Sequence, residues 1–246
     1  MVKVDVAMLT LNPFSYHPGE KLFTRCFLSI IREVPINRFI VVDGGSKRRD
    51  LEKLSCLLEK ALPSSYTLII DRGGTRATSR NIAIQLVHTD WLFFLDSDVE
   101  LKRDAWSTFE PYTLKRNVAA VEGKLENQEL QRPFLGCTLI RVEAVKGLKI
   151  PRIYHVYEDV WLKRQLEVGG WKWVKTNLPV ALHHYKLYRV RDGYYVGLIK
   201  AKEEGLKFTL KSTARVFLPT KEPLSFKLAQ AVGSFRGVIS RILGAR

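Results

Sequence analysis

The chain has 246 residues, 46% of them apolar, and 40 Lys and Arg against 25 Asp and Glu give a formal net charge of +15. That length suits one generous α/β domain with an extension, and that apolar content excludes a disordered chain. The cationic surplus favours an anionic partner: nucleic acid, an acidic membrane face or a phosphorylated substrate.

Residues 2–9 alternate and then turn apolar, as a first strand does. Past Pro13 and Pro18, residues 20–33 line Leu22, Cys26 and Ile30 along one helical face, with Phe27 and Ile31 beside them. RFIVVD (38–43) reads as a β-branched strand ending on Asp43, broken by Gly44-Gly45-Ser46 and followed by a helix carrying Leu51, Leu54, Leu57 and Leu58. YTLIID (66–71) is a third strand that also ends in an acid and meets glycines, Gly73-Gly74. TSRNIAIQLV is the next helix, with Thr75 or Thr78 as its N-cap, and WLFFLD is the fourth strand. Further on, LGCTLIRVEAVKGL reads as a strand and a short helix. EDVWLKRQLEVGG is a helix closed by glycine, and WKWVKTNLPVALHHY forms one or two strands. From Tyr185 the composition shifts to 13 Lys or Arg against 4 Asp or Glu, which holds +9 of the total charge.

Strands alternating with helices predict a Rossmann-like α/β fold, a mostly parallel sheet with helices on both faces. Ligands of such sheets bind beyond the carboxyl ends of the strands. Polar residues gather at those ends: Thr10, Asn12, Asp43, Asp71, Asp96 and Asp98. Cys26, Cys56 and Cys137 have no metal or disulfide spacing and are expected to be core thiols in a reducing compartment. The strand-like start lacks the charged and apolar regions of a signal peptide, and no apolar run approaches the ~20 residues of a membrane span. The expected location is therefore the cytoplasm, with peripheral attachment at the inner face of the cell membrane.

The stretch WLFFLDSD ends an apolar strand with two carboxylates. If strand geometry persists, Asp96 and Asp98 share a face and Ser97 points away. Paired acids call for a cation, and Mg²⁺ or Mn²⁺ suits oxygen ligands and phosphate. The competing explanation is a surface turn rich in Asp and Ser.

Gly73 to Leu101, GGTRATSRNIAIQLVHTDWLFFLDSDVEL, closely resembles the nucleotide-sugar-binding segment of family 2 glycosyltransferases: an Arg-Asn pair in a helix, then a strand ending in a D-x-D metal site. VDVAMLTLN and FIVVDGGSKRRD resemble the family's first two strands. RPFLGCTLIRVEAV, YEDVWLKRQLEVGGWKW and LPVALHHY resemble its acceptor-side elements. The resemblance covers roughly residues 2–185. It implies the GT-A fold, a domain 1–185 (nucleotide-sugar binding 1–101, acceptor side 102–185) and a basic helical extension 186–246.

The resemblance also implies roles. Asp98 is the direct ligand of Mn²⁺ or Mg²⁺, and Asp96 faces the ribose or a metal-bound water, with Ser97 on the donor side. Asp43 reads the base or ribose, unless it only caps the next helix, while Thr10 and Asn12 line the same edge. The family often has a second acid where this chain has Gly44, and an aromatic where it has Leu11. Arg76, and more so Arg80 with Asn81, face the diphosphate at a helix start. Glu158 and Asp159 match an acidic pair, with Asp159 as general base in a single, inverting displacement; the competing role is favourable charge at a helix N-terminus. His183 and His184 can reach the metal or diphosphate, and alternation with Val180 and Leu182 favours His184.

The expected partners are a nucleoside-diphosphate sugar and a glycan or lipid-linked acceptor, with no nucleic acid. The absence of Q-x-x-R-W argues for non-processive transfer. A sugar nucleotidyltransferase is a second reading, though LTLNPFSYHPGEK lacks a clean glycine-rich phosphate loop, and a basic nucleic-acid binder is a third. Residues 224–243 form an amphipathic helix, with Leu228, Val232, Phe235, Ile239 and Ile242 on one face and Lys227, Gln230, Ser234 and Arg241 opposite. Its apolar stripe packs on the catalytic domain or lies in an anionic membrane surface.

Overall fold

A computed structural model describes residues 2–127, 132–184, 190–220 and 222–243. The chain forms two compact units, residues 1–150 with 159–185 and residues 151–158 with 186–246.

The first unit begins β1 (Val4–Thr10), α1 (Glu20–Glu33), β2 (Ile36–Asp43), α2 (Arg48–Ala61), β3 (Tyr66–Ile70), α3 (Arg76–Gln85) and β4 (Trp91–Leu95). It continues β5 (Val99–Leu101), α4 (Ala105–Thr113), β6 (Val118–Leu125), β7 (Cys137–Arg141), α5 (Val142–Val145), α6 (Glu158–Val168) and β8 (Lys172–His183). The strands make one sheet in the order β3-β2-β1-β4-β7-β6-β8-β5. β3, β2, β1 and β4 run parallel, and so do β6 and β8; β7 is antiparallel to both its neighbours, as β5 is to β8.

Alternation along the parallel strands explains the layers. Val4, Val6 and Met8, Phe39 and Val41, and Trp91, Phe93 and Leu95 face one side, where α1, α2 and α4 bring Phe23, Phe27, Ile30, Leu54, Leu58 and Phe109. Ala7, Ile40, Val42, Leu92 and Phe94 face the other, against Ala83 of α3, Val145 of α5 and Leu162 and Leu166 of α6. Each such side chain withdrawn from water contributes about 1.5–3 kcal/mol, so continuous burial on both faces is what makes these runs strands rather than exposed loops. β1 and β2 pair Thr10 with Asp43, and β4 lies on β1's other side. The polar ends of these strands thus meet at one edge.

β6, α4 and β5 have no clear signal in the sequence. β6, VAAVEGKL, is built from small residues around a buried Glu122, whose carboxylate accepts from the Trp173 indole N–H at 2.8 Å and pairs with Lys175 at 3.1 Å. Cys26 and Cys137 are buried as expected, with burial first among the causes that push the Cys26 thiol up to about 12. Cys56 is exposed, because it lies on the outer face of α2.

The second unit contains α7 (Val190–Glu204), α8 (Leu206–Val216) and α9 (Leu224–Ile242). Of the two readings left open for the apolar stripe of the last helix, packed or free for a membrane surface, the side chains' exposure does not favour the packed one. Leu228, Val232, Phe235, Ile239 and Ile242 are exposed, whereas Lys227, Gln230 and Ser234 are buried. The cause is close backbone approach. A Cβ on Gly197 of α7 would collide with the Gln230 carbonyl, and one on Gly233 of α9 with the Tyr194 carbonyl; Cβ atoms on Gly193 and Gly237 would come within 2.5 Å of the Phe226 and Leu198 carbonyls. Ser212 and Ser234 hydroxyls lie 2.9 Å apart between α8 and α9, and Thr209 donates to the Ser234 carbonyl at 3.3 Å.

Candidate active site

The edge where β1, β2 and β4 end is tied together by short side chains. Asp43 is fully buried and saturated: it accepts from the Thr10 hydroxyl (2.8 Å), the Gly45 and Ser46 amides (2.9 and 2.6 Å) and the Ser46 hydroxyl (2.6 Å). Asn12, at φ 49°, donates its amide to Ser46 Oγ at 2.5 Å, and its side-chain oxygen accepts from the Lys47 amide at 2.8 Å. Thr10, Asn12 and Asp43 therefore shape the two loops above β1 and β2.

The D-x-D turn differs from the expected geometry. β4 ends at Leu95, so Asp96 and Asp98 sit on a turn rather than on one face of a strand. Each acid has its own protein partner. Asp96 Oδ1 accepts from Arg80 Nη2 at 2.7 Å. Asp98 Oδ2 lies 3.1 Å from His17 Nε2 and 3.4 Å from His183 Nε2. Burial opposes ionisation of Asp98, but hydrogen bonds and charge from His17 and His183 outweigh it and hold the carboxyl well below the usual range. Burial likewise disfavours the imidazolium of His183, and the Asp98 carboxylate, then Asp96, reverses this and raises its pKa. Ser97 is half-buried between the two acids.

The expectation for His184 is corrected. β8 pairs with β5 so that Val99 stands opposite His183, and His184 falls beyond the last strand residue, where alternation no longer applies. Its Nε2 lies 2.7 Å from Glu100 Oε2, which Arg25 Nε also reaches at 3.0 Å. His183 is thus the histidine beside Asp98. His17, in the loop after β1, was missed by sequence reasoning. Asp50 pins that loop, accepting from the Phe14 and Ser15 amides at 2.8 and 2.9 Å and from the Ser15 hydroxyl at 2.6 Å. The available signal was position alone, a histidine just past a strand that ends at the ligand edge.

α3 starts with a reciprocal capping box between Thr75 and Thr78, which identifies Thr75 as the cap. Arg80, on its inner face, is 2% exposed, stacks 4.6 Å from the Phe94 ring centroid and has no hydrogen-bond partner for Nε or Nη1 among the described residues. Asn81 instead clamps a loop: its amide donates to the Ile150 carbonyl and accepts from the Ile150 amide, both at 2.9 Å. The Asn81 side chain is thereby engaged with backbone.

Asp159, in the first turn of α6, is buried. Burial pushes its pKa up, against the opposing charges of Arg132, Arg76 and Arg80 and the Val160 amide, which donates to it at 2.8 Å. Arg76, expected from its helix start, and Arg132, missed because the segment before β7 carries no pattern, therefore stand near this acid. Glu158 is buried and is counted with the second unit. Gly136 is required beside the turn: a Cβ there would collide with the Asp96 carboxylate and the Phe134 ring.

Among the described residues no group of three or more His, Cys, Asp or Glu is arranged to enclose a metal ion. The donor set of Asp98 and His183, an ionised carboxylate and an imidazole, nonetheless fits a divalent cation that completes its sphere with other oxygens.

A profile of glycosyl transferase family 2 matches residues 6–192. The chain belongs to that family, and of the three classes left open by its residues this selects the nucleotide-sugar glycosyltransferase. No curated protein sequence matches it significantly. Among solved structures, mannosyltransferase PcManGT from Pyrobaculum calidifontis in complex with GDP-Man and Mn²⁺ aligns with TM-score 0.64 and 14% identity, covering 98% of this chain and 74% of that one. S. aureus TarS 1-349 aligns with TM-score 0.59 and 13% identity, covering 95% and 70%, and its complex with UDP-GlcNAc does so over 95% and 71%. At these identities the likeness establishes the fold, which is GT-A.

Proposed function

We propose that the chain transfers one sugar from a nucleoside diphosphate to a hydroxyl or lipid-phosphate acceptor, with a divalent metal and inversion at the anomeric carbon. The observation that carries this is the seating of Asp98 and His183 together at the ligand edge of a family 2 sheet. These two residues would hold the metal, Mn²⁺ being favoured over Mg²⁺ by the imidazole. When bound, such an ion supplies charge stabilisation for the departing diphosphate. His17 orients Asp98 through its 3.1 Å contact. Arg80 holds Asp96, leaving the second oxygen of that carboxylate for a ribose hydroxyl, and Ser97 lies within the same turn.

Asp159 is the general base. Its raised pKa makes it a stronger proton acceptor, and Arg76 and Arg132 nearby suit an anionic donor. In the proposed step the acceptor oxygen bonds to the anomeric carbon as the bond to the diphosphate oxygen breaks. The acceptor proton passes to Asp159, and the bonding pair leaves with the diphosphate. One displacement inverts the configuration. Residues 1–101 would form the donor side and 102–185 the acceptor side, with peripheral membrane attachment through residues 186–246.

The test is a thermal-shift screen of UDP-, GDP- and dTDP-sugars with and without Mn²⁺, repeated with Asp98→Ala. Stabilisation that needs metal and vanishes in the variant supports the reading. A variant that binds and turns over normally overturns it.

A further inference from the structure

Helices in water hide their apolar stripes, and the C-terminal unit does the reverse. The outward side chains Val232, Phe235, Ile239 and Ile242 of α9 are 62%, 53%, 55% and 76% exposed, while its packed face is mostly small or polar: Gln230, Ala231, Gly233, Ser234 and Gly237, with Phe226 at its start. α8 follows the same rule. Its inner residues are Thr209 and Ser212, and Leu206, Leu210 and Phe217, one stripe at helical spacing, are exposed. Glycines four apart on both α7 and α9, with hydroxyl contacts between helices, are how helices associate when hydrophobic burial does not hold them together.

We propose that this unit docks on an anionic lipid bilayer, with the α9 stripe seated among acyl chains and the flanking cations at the headgroups. This names the surface for the peripheral attachment proposed above and stands apart from the sugar-transfer chemistry. Charge complementarity selects the occupant. Exposed Lys207 and Lys211 flank the α8 stripe and Arg236 flanks that of α9, in a segment from Tyr185 onward that holds +9 of the net charge. Lysine is depleted at protein–protein interfaces, whereas basic residues beside an apolar stripe mark helices that lie in a charged membrane surface. At the C-terminal end of the stripe, Ile239 and Leu243 also border an open groove of about 460 Å³ that includes Lys202 and Arg236, cations beside apolar wall. No helix among the described residues is long and apolar enough to cross a bilayer, so the attachment proposed is to one leaflet.

The test is co-sedimentation of the full chain with phosphatidylcholine vesicles, with and without phosphatidylglycerol. Binding is expected only with the anionic lipid, and it falls with added salt. In Phe235→Ser/Ile239→Ser it drops about tenfold or more, from the apolar area lost, while donor hydrolysis in solution is unchanged. Because that variant could misfold, Ile239→Cys in a Cys56→Ser background, labelled with a polarity-sensitive fluorophore, gives a second readout: a blue shift on adding anionic vesicles. Equal binding to neutral vesicles, an unaffected double variant that is folded, or no blue shift overturns the proposal. So does a dimer in sedimentation velocity that the double variant dissociates while vesicle binding is absent, since the occupant is then a second copy of the chain.

Discussion

His17 Nε2 stands 3.1 Å from Asp98 Oδ2, joining the loop after the first strand to the turn after the fourth. His183 approaches the same oxygen from the end of β8 at 3.4 Å, so one carboxylate gathers three chain segments up to 166 positions apart. Asp98→Ala is expected to lower transfer by about 100-fold or more and to abolish metal-dependent stabilisation by nucleoside diphosphate. His17→Ala, which removes an orienting partner, is expected to cost about 10–100-fold, mostly as weaker metal dependence. Titrating Mn²⁺ against initial rate separates the two.

The same contact sets a pH dependence in the metal-free protein. The pKa of His183 is raised, so its pairing stabilises the fold fully below the ordinary imidazole value of 6.5, and that contribution is lost as pH rises through its folded value. Asp98 is lowered, so its contribution is present above 3.8 and is lost as pH falls toward its folded value. Melting temperature should therefore decline on the alkaline side of 6.5, and Asp98→Asn should flatten that decline and shift the His183 ring resonances to a lower titration midpoint.

Arg80 is nearly inaccessible, and among the described residues its hydrogen-bonded partner is Asp96. Arg80→Met keeps much of the volume but strands the Asp96 carboxylate, which is only partly open to solvent. A loss of about 2–4 kcal/mol in urea unfolding is expected, together with weaker donor binding.

Asp159→Asn tests the base. Turnover is expected to fall by about 100-fold to 10,000-fold with donor affinity little changed, because the proton acceptor acts only on the acceptor hydroxyl. Steady-state kinetics beside calorimetric donor titration would show the split.

In the helical unit, Gly233→Leu forces a side chain into the Tyr194 carbonyl. Overpacking of this kind costs about 1–3 kcal/mol. Faster proteolysis within residues 190–243, with the sheet domain intact, is the expected outcome.

Much of the first domain was legible from local pattern. Trp91–Leu95 and Phe39–Val42 are apolar runs that end in acids, and parallel strands covered on both faces have that composition; Leu68–Ile70 reads the same way but belongs to the edge strand β3, where Ile70 is exposed. The helix over 20–33 followed from the spacing of Cys26 and Ile30. β6 stayed hidden because Ala119, Ala120 and Gly123 satisfy close packing without looking like a strand, and a Cβ on Gly123 would lie 2.5 Å from Cys137 Sγ.

The site was legible as a list of acids at strand ends, but not as a set of partners. Alternation chose His184, and the strand's end placed His183 beside Asp98 instead. Two carboxylates one residue apart suggested a cation, but nothing local showed that Arg80 reaches one of them and two histidines the other. Such pairings join residues far apart in sequence, and no local rule encodes them.

By itself, then, the sequence determined which segments bury apolar faces and where the acids stand along the chain, because periodicity and turn chemistry are local properties. Only the tertiary structure decided which ring meets which carboxylate and which face of α9 is packed. Those outcomes depend on how closely two backbones approach, and that distance belongs to the pair and to neither segment alone.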